Sequence, residues 1–164
     1  MLAQVEQSSG HTCHSSQDRN KAPLVDFFSI YEGSEMYSDD DFMADNDALY
    51  WADMGEYMSS SQITWTRASE AFPNHTLFGA DGVQADDIEQ GSLGNCWFLA
   101  ACATMAQMPG SVEAMFLNSS NEISTNGIYA VNFYTLGMPH TVIVDDFLPL
   151  NAYGNTYFAG LGDN

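Results

Sequence analysis

The stretch from Gln90 to Ala106, QGSLGNCWFLAACATMA, decides the fold. Two glycines precede a cysteine, and from Cys96 to Met108 the sequence is apolar at almost every helical position, until Pro109 and Gly110 end it. Asn95 suits the N-cap position. A helix that is apolar on every side is usually buried, so the pattern predicts a central buried helix that begins at the cysteine.

A predicted hairpin follows this helix. After a short second helix over Ser111 to Leu117, the stretch IYAVNFYT alternates Tyr129, Val131 and Phe133 with smaller or polar residues, which is strand periodicity. The turn LGMP and the run TVIV predict a second, antiparallel strand that ends at two aspartates. The predicted class is α+β, a central buried helix with a small antiparallel sheet.

The composition limits the partners. The 164 residues include 22 acidic and 3 basic side chains, a net charge of −19, which disfavours nucleic acid and anionic lipid and attracts divalent cations. No apolar run is long enough to span a bilayer, and the first residues have no secretory signal pattern, so we expect a cytoplasmic protein without membrane insertion. Three cysteines are an odd number, which does not favour a disulfide framework.

Two regions are expected along the chain. Residues 1–36 are mostly polar and predict a mobile leader. Residues 37–164 are expected to form one unit, which begins with an acidic and aromatic segment packed along the folded body.

The chemistry centres on Cys96. The free amide groups and the dipole at a helix N-terminus favour an anion and therefore a nucleophilic thiolate. The side-chain amide of Gln90 and the backbone N–H of Cys96 would form a two-donor oxyanion hole. These residues alone leave open a second interpretation, a core cysteine that follows two glycines, with a surface glutamine upstream.

Four ordered segments resemble the calpains, calcium-dependent cysteine endopeptidases. DDIEQGSLGNCW resembles the active-site segment, although Asn95 stands where the family usually has Asp. WTRASE resembles the W-x-R-x-x-E motif, VIVDDFLP is similar to a V-V-D-D-x-L-P strand, and YSDDDFMADNDALYW resembles the preceding segment more loosely. The resemblance implies the first subdomain of a papain-like core, with Cys96 as the nucleophile and Gln90 in the oxyanion hole.

A thiol protease also needs a histidine base and an Asn to orient it, and the resemblance places both after residue 164, since in papain-like enzymes they follow the cysteine by about 130 to 150 residues. We therefore expect a partial catalytic domain that needs a complementary protease subdomain. The turn-like surroundings of His75 and His140 aim neither ring at Cys96.

The loop before the cysteine predicts a calcium site. Asp81, Asp86 and Asp87 with turn carbonyls offer hard oxygen ligands, as Ca²⁺ prefers, although the same residues also suit a solvated acidic loop. The resemblance implies a partial site from the carbonyls of Ala80 and Gly82 and the carboxylate of Asp87. Zinc is disfavoured at His11 to His14, because that group has no fourth ligand.

Three functions follow. The first is calcium-dependent cleavage of intracellular protein substrates by Cys96. The second is a truncated, non-catalytic calpain-like module that binds a protein partner, and the third is an acidic calcium buffer. In a papain-like layout, the helix that carries Cys96 would also expose apolar surface where the second subdomain packs.

Overall fold

The structure, a computed structural model, describes residues 26–45, 48–49, 63–91, 93–118, 121 and 123–162. Helices and strands follow in the order α1 (Phe27–Tyr31), β1 (Thr64–Arg67), α2 (Ala68–Ala71), α3 (Cys96–Ala106), β2 (Tyr129–Thr135), β3 (Met138–Val144) and β4 (Phe147–Leu150). Short 3₁₀ turns span Ala85–Asp87 and Glu113–Met115. The predicted α+β class is confirmed.

Strands β2 and β3 form the predicted antiparallel hairpin, with Tyr129 opposite Val144 and Thr135 opposite Met138. The turn is tighter than LGMP, because only Leu136 and Gly137 lie outside the strands, with φ of 53° and 78°. Positive φ at both central positions is the geometry of a type I′ turn, whose twist matches that of the strands. His140 therefore lies within β3, opposite Phe133, and the prediction that it lies in a turn is wrong.

A second antiparallel pair joins two of the sequence motifs. Strand β1, from the WTR motif, pairs with β4, from the FLP motif, so that Thr64 faces Leu150 and Arg67 faces Phe147. This pairing brings together segments about 80 residues apart, and local periodicity does not predict it.

The core lies between α1 and the start of β2. Phe27, Ile128 and Ala130 form its buried centre. The sequence predicts a mobile leader over residues 1–36, but from Asp26 onward the chain packs on the body, because α1 buries Phe27 and leaves it 5% exposed. The side-chain amide of Asn126 also donates to the carbonyl oxygens of Ile30 and Gly33. Residues 1–25, with His11 to His14 and Cys13, lie outside the described residues.

The first residues of the acidic segment that follows α1 contact the folded body. The backbone N–H of Asp39 donates to the carboxylate of Asp145, 2.9 Å away. This contact agrees with the predicted packing along the body, and residues 46–47 and 50–62 of the segment lie outside the described residues.

Helix α3 begins at Cys96 as predicted but ends at Ala106, two residues before Met108. The prediction that it is buried is wrong for this chain: none of its residues is buried, and Trp97 is 74% exposed. Among the described elements, its main contact is with the 3₁₀ turn of residues 85–87, which leaves much of its surface uncovered. Asn95 occupies the N-cap position, but its side chain makes no capping hydrogen bond.

No helix in the described part of the chain combines the length and apolarity that crossing a membrane requires.

Candidate active site

Cys96 is the first residue of α3, and its side chain is exposed. The helical hydrogen bonds start one residue earlier, where the carbonyl oxygen of Asn95 accepts from the N–H groups of Phe98 and Leu99 at 2.9 and 3.1 Å. The N–H of Cys96 belongs to the first turn, which has no acceptors within the helix. An accessible sulfur therefore lies beside a backbone donor that can bind an anion.

Gln90 lies on the loop that leads to this helix. Its side-chain nitrogen donates to the carbonyl oxygen of Leu93 at 3.3 Å, and the same oxygen accepts from the N–H of Asn95 at 2.9 Å. The amide of Gln90 is thus held close to the residue that precedes Cys96. One of its two N–H groups is therefore engaged in the loop.

A segment after β4 packs against the Gln90 loop. The N–H of Gly160 donates to the carbonyl oxygen of Glu89 at 3.1 Å, and a Cβ on Gly91 would collide with the backbone of Phe158. Only glycine at position 91 allows this close approach. The path of the loop that carries Gln90 is therefore fixed by backbone contacts on both sides of that residue.

The two histidines in the described residues make no hydrogen bond with Cys96. The Nδ1 atom of His75 contacts the carbonyl oxygen of Phe72, and His140 lies exposed on β3. The described residues thus combine an exposed thiol at a helix start with the amide of Gln90 on the preceding loop, and place no histidine in contact with the thiol.

Two of the predicted calcium residues, Ala80 and Gly82, lie on the loop that precedes the Ala85–Asp87 turn, and the third, Asp87, is the last residue of that turn. The N–H of Gly82 donates to the carbonyl oxygen of Gly79 at 3.0 Å, and the φ of Gly82 is 74°. The carboxylate of Asp87 accepts from the backbone N–H of Gln84 at 3.1 Å, in a capping box. The donors are carboxylate and carbonyl oxygens, a chemistry that fits Ca²⁺.

A cavity of about 540 Å³ borders the same loop, and three acidic side chains line it, from Asp81, Asp86 and Glu113. Glu113 approaches Gly82 from the 3₁₀ turn after α3, and no motif in the sequence marks this residue. No group of three or more His, Cys, Asp or Glu side chains in the described residues is arranged to hold a metal ion. A metal at this loop would therefore depend on backbone carbonyls as well as carboxylates.

Cys102, six residues after Cys96 on α3, is partly buried and lines a different cavity. Burial raises the pKa of its thiol, which favours the neutral form. This agrees with a structural thiol and distinguishes Cys102 from the exposed Cys96.

Sequence reasoning missed the ion pair between Arg67 and Asp146. Asp146 has 1% of its side chain exposed, and the Arg67 guanidinium also donates to the carbonyl oxygen of Tyr37 at 2.7 Å and lies 4.3 Å from the centre of the Phe147 ring. One signal could have revealed the pair: Arg67 is the only Lys or Arg after residue 21, so a buried carboxylate in the body has a single cationic side chain to pair with.

Comparison with known proteins gives a family match over most of the chain. The family described as calpain family cysteine protease matches residues 37–162.

Curated relatives agree with this match. The chain is 34% identical to the calpain-2 catalytic subunit of Homo sapiens over 122 residues, which are 72% of this chain and 17% of the relative. It is 31% identical to calpain-5 of Rattus norvegicus over 121 residues, 70% of this chain and 18% of the relative. The calpain-type cysteine protease ADL1 of Oryza sativa subsp. japonica is 29% identical over 136 residues, 79% of this chain and 6% of the relative. The chain thus spans less than a fifth of each.

Proposed function

Because the chain belongs to the calpain family of cysteine proteases, we propose that it is the nucleophile-bearing part of a calcium-dependent endopeptidase that cleaves intracellular proteins. One observation carries the proposal: Cys96 is exposed at the first residue of α3, directly after the loop that holds Gln90. We also propose a cytoplasmic location, because the three cysteines of the sequence are an odd number, which does not favour a disulfide framework.

In the proposed reaction, the sulfur of Cys96 forms a bond to the carbonyl carbon of a peptide. The electron pair of the C=O bond moves to the oxygen, which accepts hydrogen bonds from the N–H of Cys96 and the amide of Gln90. The C=O bond then re-forms as the C–N bond breaks, and the amine leaves with the proton that the thiol gave up. Water hydrolyses the resulting thioester, which releases the carboxylic acid and restores the thiol of Cys96. The proton passes through a histidine that the described residues do not place at the thiol, so we assign that role to a complementary subdomain.

Ala80, Gly82 and Asp87 are the residues that we propose to hold calcium. When bound, Ca²⁺ would neutralise carboxylate charge and order the loop on which these residues lie. This chain contributes the donor atoms, and the capping box at Asp87 fixes the carboxylate beside the Ala85–Asp87 turn.

The nucleophile is tested by labelling with a peptidyl epoxide, an inhibitor of thiol proteases, followed by peptide mapping. We expect an adduct on Cys96 in the wild-type chain and in Cys102→Ser, and none in Cys96→Ser. Iodoacetamide, which needs no protease site, provides the control for simple exposure. The assignment of Cys96 as the nucleophile would be wrong if the epoxide reacted with Cys102 instead. It would also be wrong if the epoxide left Cys96 unmodified while iodoacetamide alkylated it.

Calcium binding is tested by calorimetric titration of CaCl₂ into the chain. Asp87→Ala should weaken binding about tenfold or more, because it removes both the charge and the ligand oxygens. Asp86→Ala is the matched control, since it removes the same charge from the same turn without removing a proposed ligand. Equal losses in the two variants would mean that the loop only attracts ions through its charge.

A second candidate function is a non-catalytic module that binds a protein partner. The exposure of Trp97 and Phe98 on α3 favours it, because apolar surface of this kind often marks a protein interface. This candidate predicts no epoxide adduct on Cys96 at any calcium concentration.

A further inference from the structure

The loop that carries Gln90 has little structure of its own to fix its position. Residues 88–91 and 93–95 belong to neither a helix nor a strand. The hydrogen bond from the Gln90 side chain to Leu93 is local, and so is the one from the N–H of Asn95 to the same oxygen. An oxyanion donor has to be held in place before the charge develops. The position of Gln90 therefore depends on contacts with a segment from elsewhere in the chain.

The segment of residues 158–162 provides these contacts, because it runs alongside residues 87–91 in the opposite direction. The N–H of Gly160 donates to the carbonyl oxygen of Glu89, directly before Gln90, at 3.1 Å. Among the described residues, this is the one backbone hydrogen bond between the Gln90 loop and a distant segment. Close contacts recur at every second residue: Phe158 with Gly91, Gly160 with Glu89, and Gly162 with Asp87.

The start of the 158–162 segment is attached to the folded body. The N–H of Tyr157 donates to the carbonyl oxygen of Pro149 in β4 at 2.9 Å, and Thr156 forms a bridge with Leu150 of the same strand. Strand β4 is in turn paired with β1. A short path thus leads from the β1–β4 pair to the loop that carries Gln90.

The contact at Gly160 leaves no room for a side chain. A Cβ there would lie 2.5 Å from a carboxylate oxygen of Glu89 and 2.9 Å from its Cβ. The carboxylate can rotate away, but the Cβ of Glu89 is fixed to the backbone, so an added methyl group has to displace that backbone. The φ of Gly160 is not positive, so alanine there adds no left-handed strain and acts through this contact. The displaced residue is bonded directly to Gln90.

We propose that Gly160 is a positioning residue for the oxyanion donor. Its N–H holds the backbone of Glu89, and its missing side chain lets the two segments approach, so that Gln90 keeps one position relative to Cys96. The proposal rests on the proposed function, because it gives Gly160 a role only through Gln90. Gly160 should therefore affect a ligand at Cys96 only while the amide of Gln90 is present.

A double-mutant cycle with a peptidyl aldehyde tests this role, because the adduct with Cys96 places an oxygen at the proposed oxyanion donors. Gly160→Ala should raise the Kd roughly threefold or more in the wild-type background and have no effect in the Gln90→Ala background. Ala159→Ser also adds one heavy atom, at an exposed neighbouring residue, and should leave the Kd unchanged.

The outcomes of the cycle separate this proposal from the proposed function. The role of Gly160 would be wrong if Gly160→Ala raised the Kd equally in both backgrounds. It would also be wrong if Gln90→Ala raised the Kd and Gly160→Ala did not. If Gln90→Ala had no effect either, the oxyanion hole itself would be wrong.

Two NMR measurements extend the test. Without ligand, Gly160→Ala should shift the side-chain amide signals of Gln90, whereas Ala159→Ser should not. If Gly160→Ala does not fold, the wild type serves: the aldehyde should slow hydrogen exchange of the Gly160 N–H. It should leave unchanged the exchange of the Gly154 N–H, which donates to Asn151 in an exposed turn. Unchanged Gln90 signals in the folded variant, or unchanged exchange at Gly160 in the wild type, would overturn the proposal.

Discussion

At the residue scale, Arg67 holds together parts of the chain that are far apart in sequence. It pairs with Asp146, 79 residues later, and donates to the carbonyl oxygen of Tyr37, 30 residues earlier. Because a carboxylate that is almost fully buried needs a partner, the ion pair makes the position of Asp146 dependent on Arg67.

Arg67→Met should therefore destabilise the chain by about 3 to 5 kcal/mol, since it leaves the buried charge of Asp146 without compensation. Urea unfolding followed by tryptophan fluorescence measures this loss. Ser38→Ala removes only an exposed hydrogen bond from the same guanidinium and should cost less than about 1 kcal/mol. Similar losses in the two variants would contradict the importance of the ion pair.

Gly127 packs directly against this pair. Its φ is 68°, and a Cβ there would lie 2.5 Å from a carboxylate oxygen of Asp146. Gly154 has a φ of 80° with open space around it, so Gly154→Ala measures the backbone cost alone, about 1 to 2 kcal/mol. Gly127→Ala should cost clearly more in the same urea assay. Equal costs would show that the neighbours of Gly127 move aside freely.

The titration of Tyr37 should make the free energy of unfolding depend on pH. Burial, together with the charges of Asp39, Asp145, Asp40 and Asp41, raises its pKa from 10.0 to about 12. The unfolded chain therefore releases this proton first, so the free energy of unfolding should fall as the pH rises from about 10 to about 12. Tyr37→Phe should lose less stability between pH 9 and pH 11 than the wild type. Parallel losses in urea unfolding would contradict the shift.

At the element scale, the sequence predicts what local patterns determine. The start of α3 at Cys96 and the β2–β3 hairpin follow from helical and alternating periodicity and from turn residues. The pairing of β1 with β4 and the packing of α1 do not, because each depends on contacts between distant segments. For a related reason, α3 is exposed although its apolar sequence predicts burial. Burial requires neighbours, and the described elements cover only part of the helix.

Helix α1 offers a matched pair of neighbouring residues. Phe27 is 5% exposed and stacks on Tyr31, whereas Phe28 is 57% exposed. Phe27→Ala should cost about 3 to 5 kcal/mol in urea unfolding, the usual range for a core phenylalanine. Phe28→Ala should cost much less. If the two variants were equally stable, α1 would not belong to the folded body.

At the scale of the whole molecule, the sequence predicts the position of the nucleophile better than it predicts the calcium site or the base. The position of the nucleophile follows from one continuous motif, and the structure places Cys96 at a helix start with the amide of Gln90 held nearby. The calcium site and the base depend on groups from several segments. This difference explains why the residues around Cys96 could be predicted in more detail than the complete site.

The proposed oxyanion hole is tested most directly by the affinity of a peptidyl aldehyde, which adds reversibly to a thiol and places an oxygen where the oxyanion would develop. Titration followed by tryptophan fluorescence gives its Kd. Gln90→Ala should raise the Kd roughly tenfold or more, while Gln107→Ala, at the exposed far end of α3, should leave it unchanged. Equal affinities for Gln90→Ala and the wild type would contradict the proposed role of Gln90 beside Cys96.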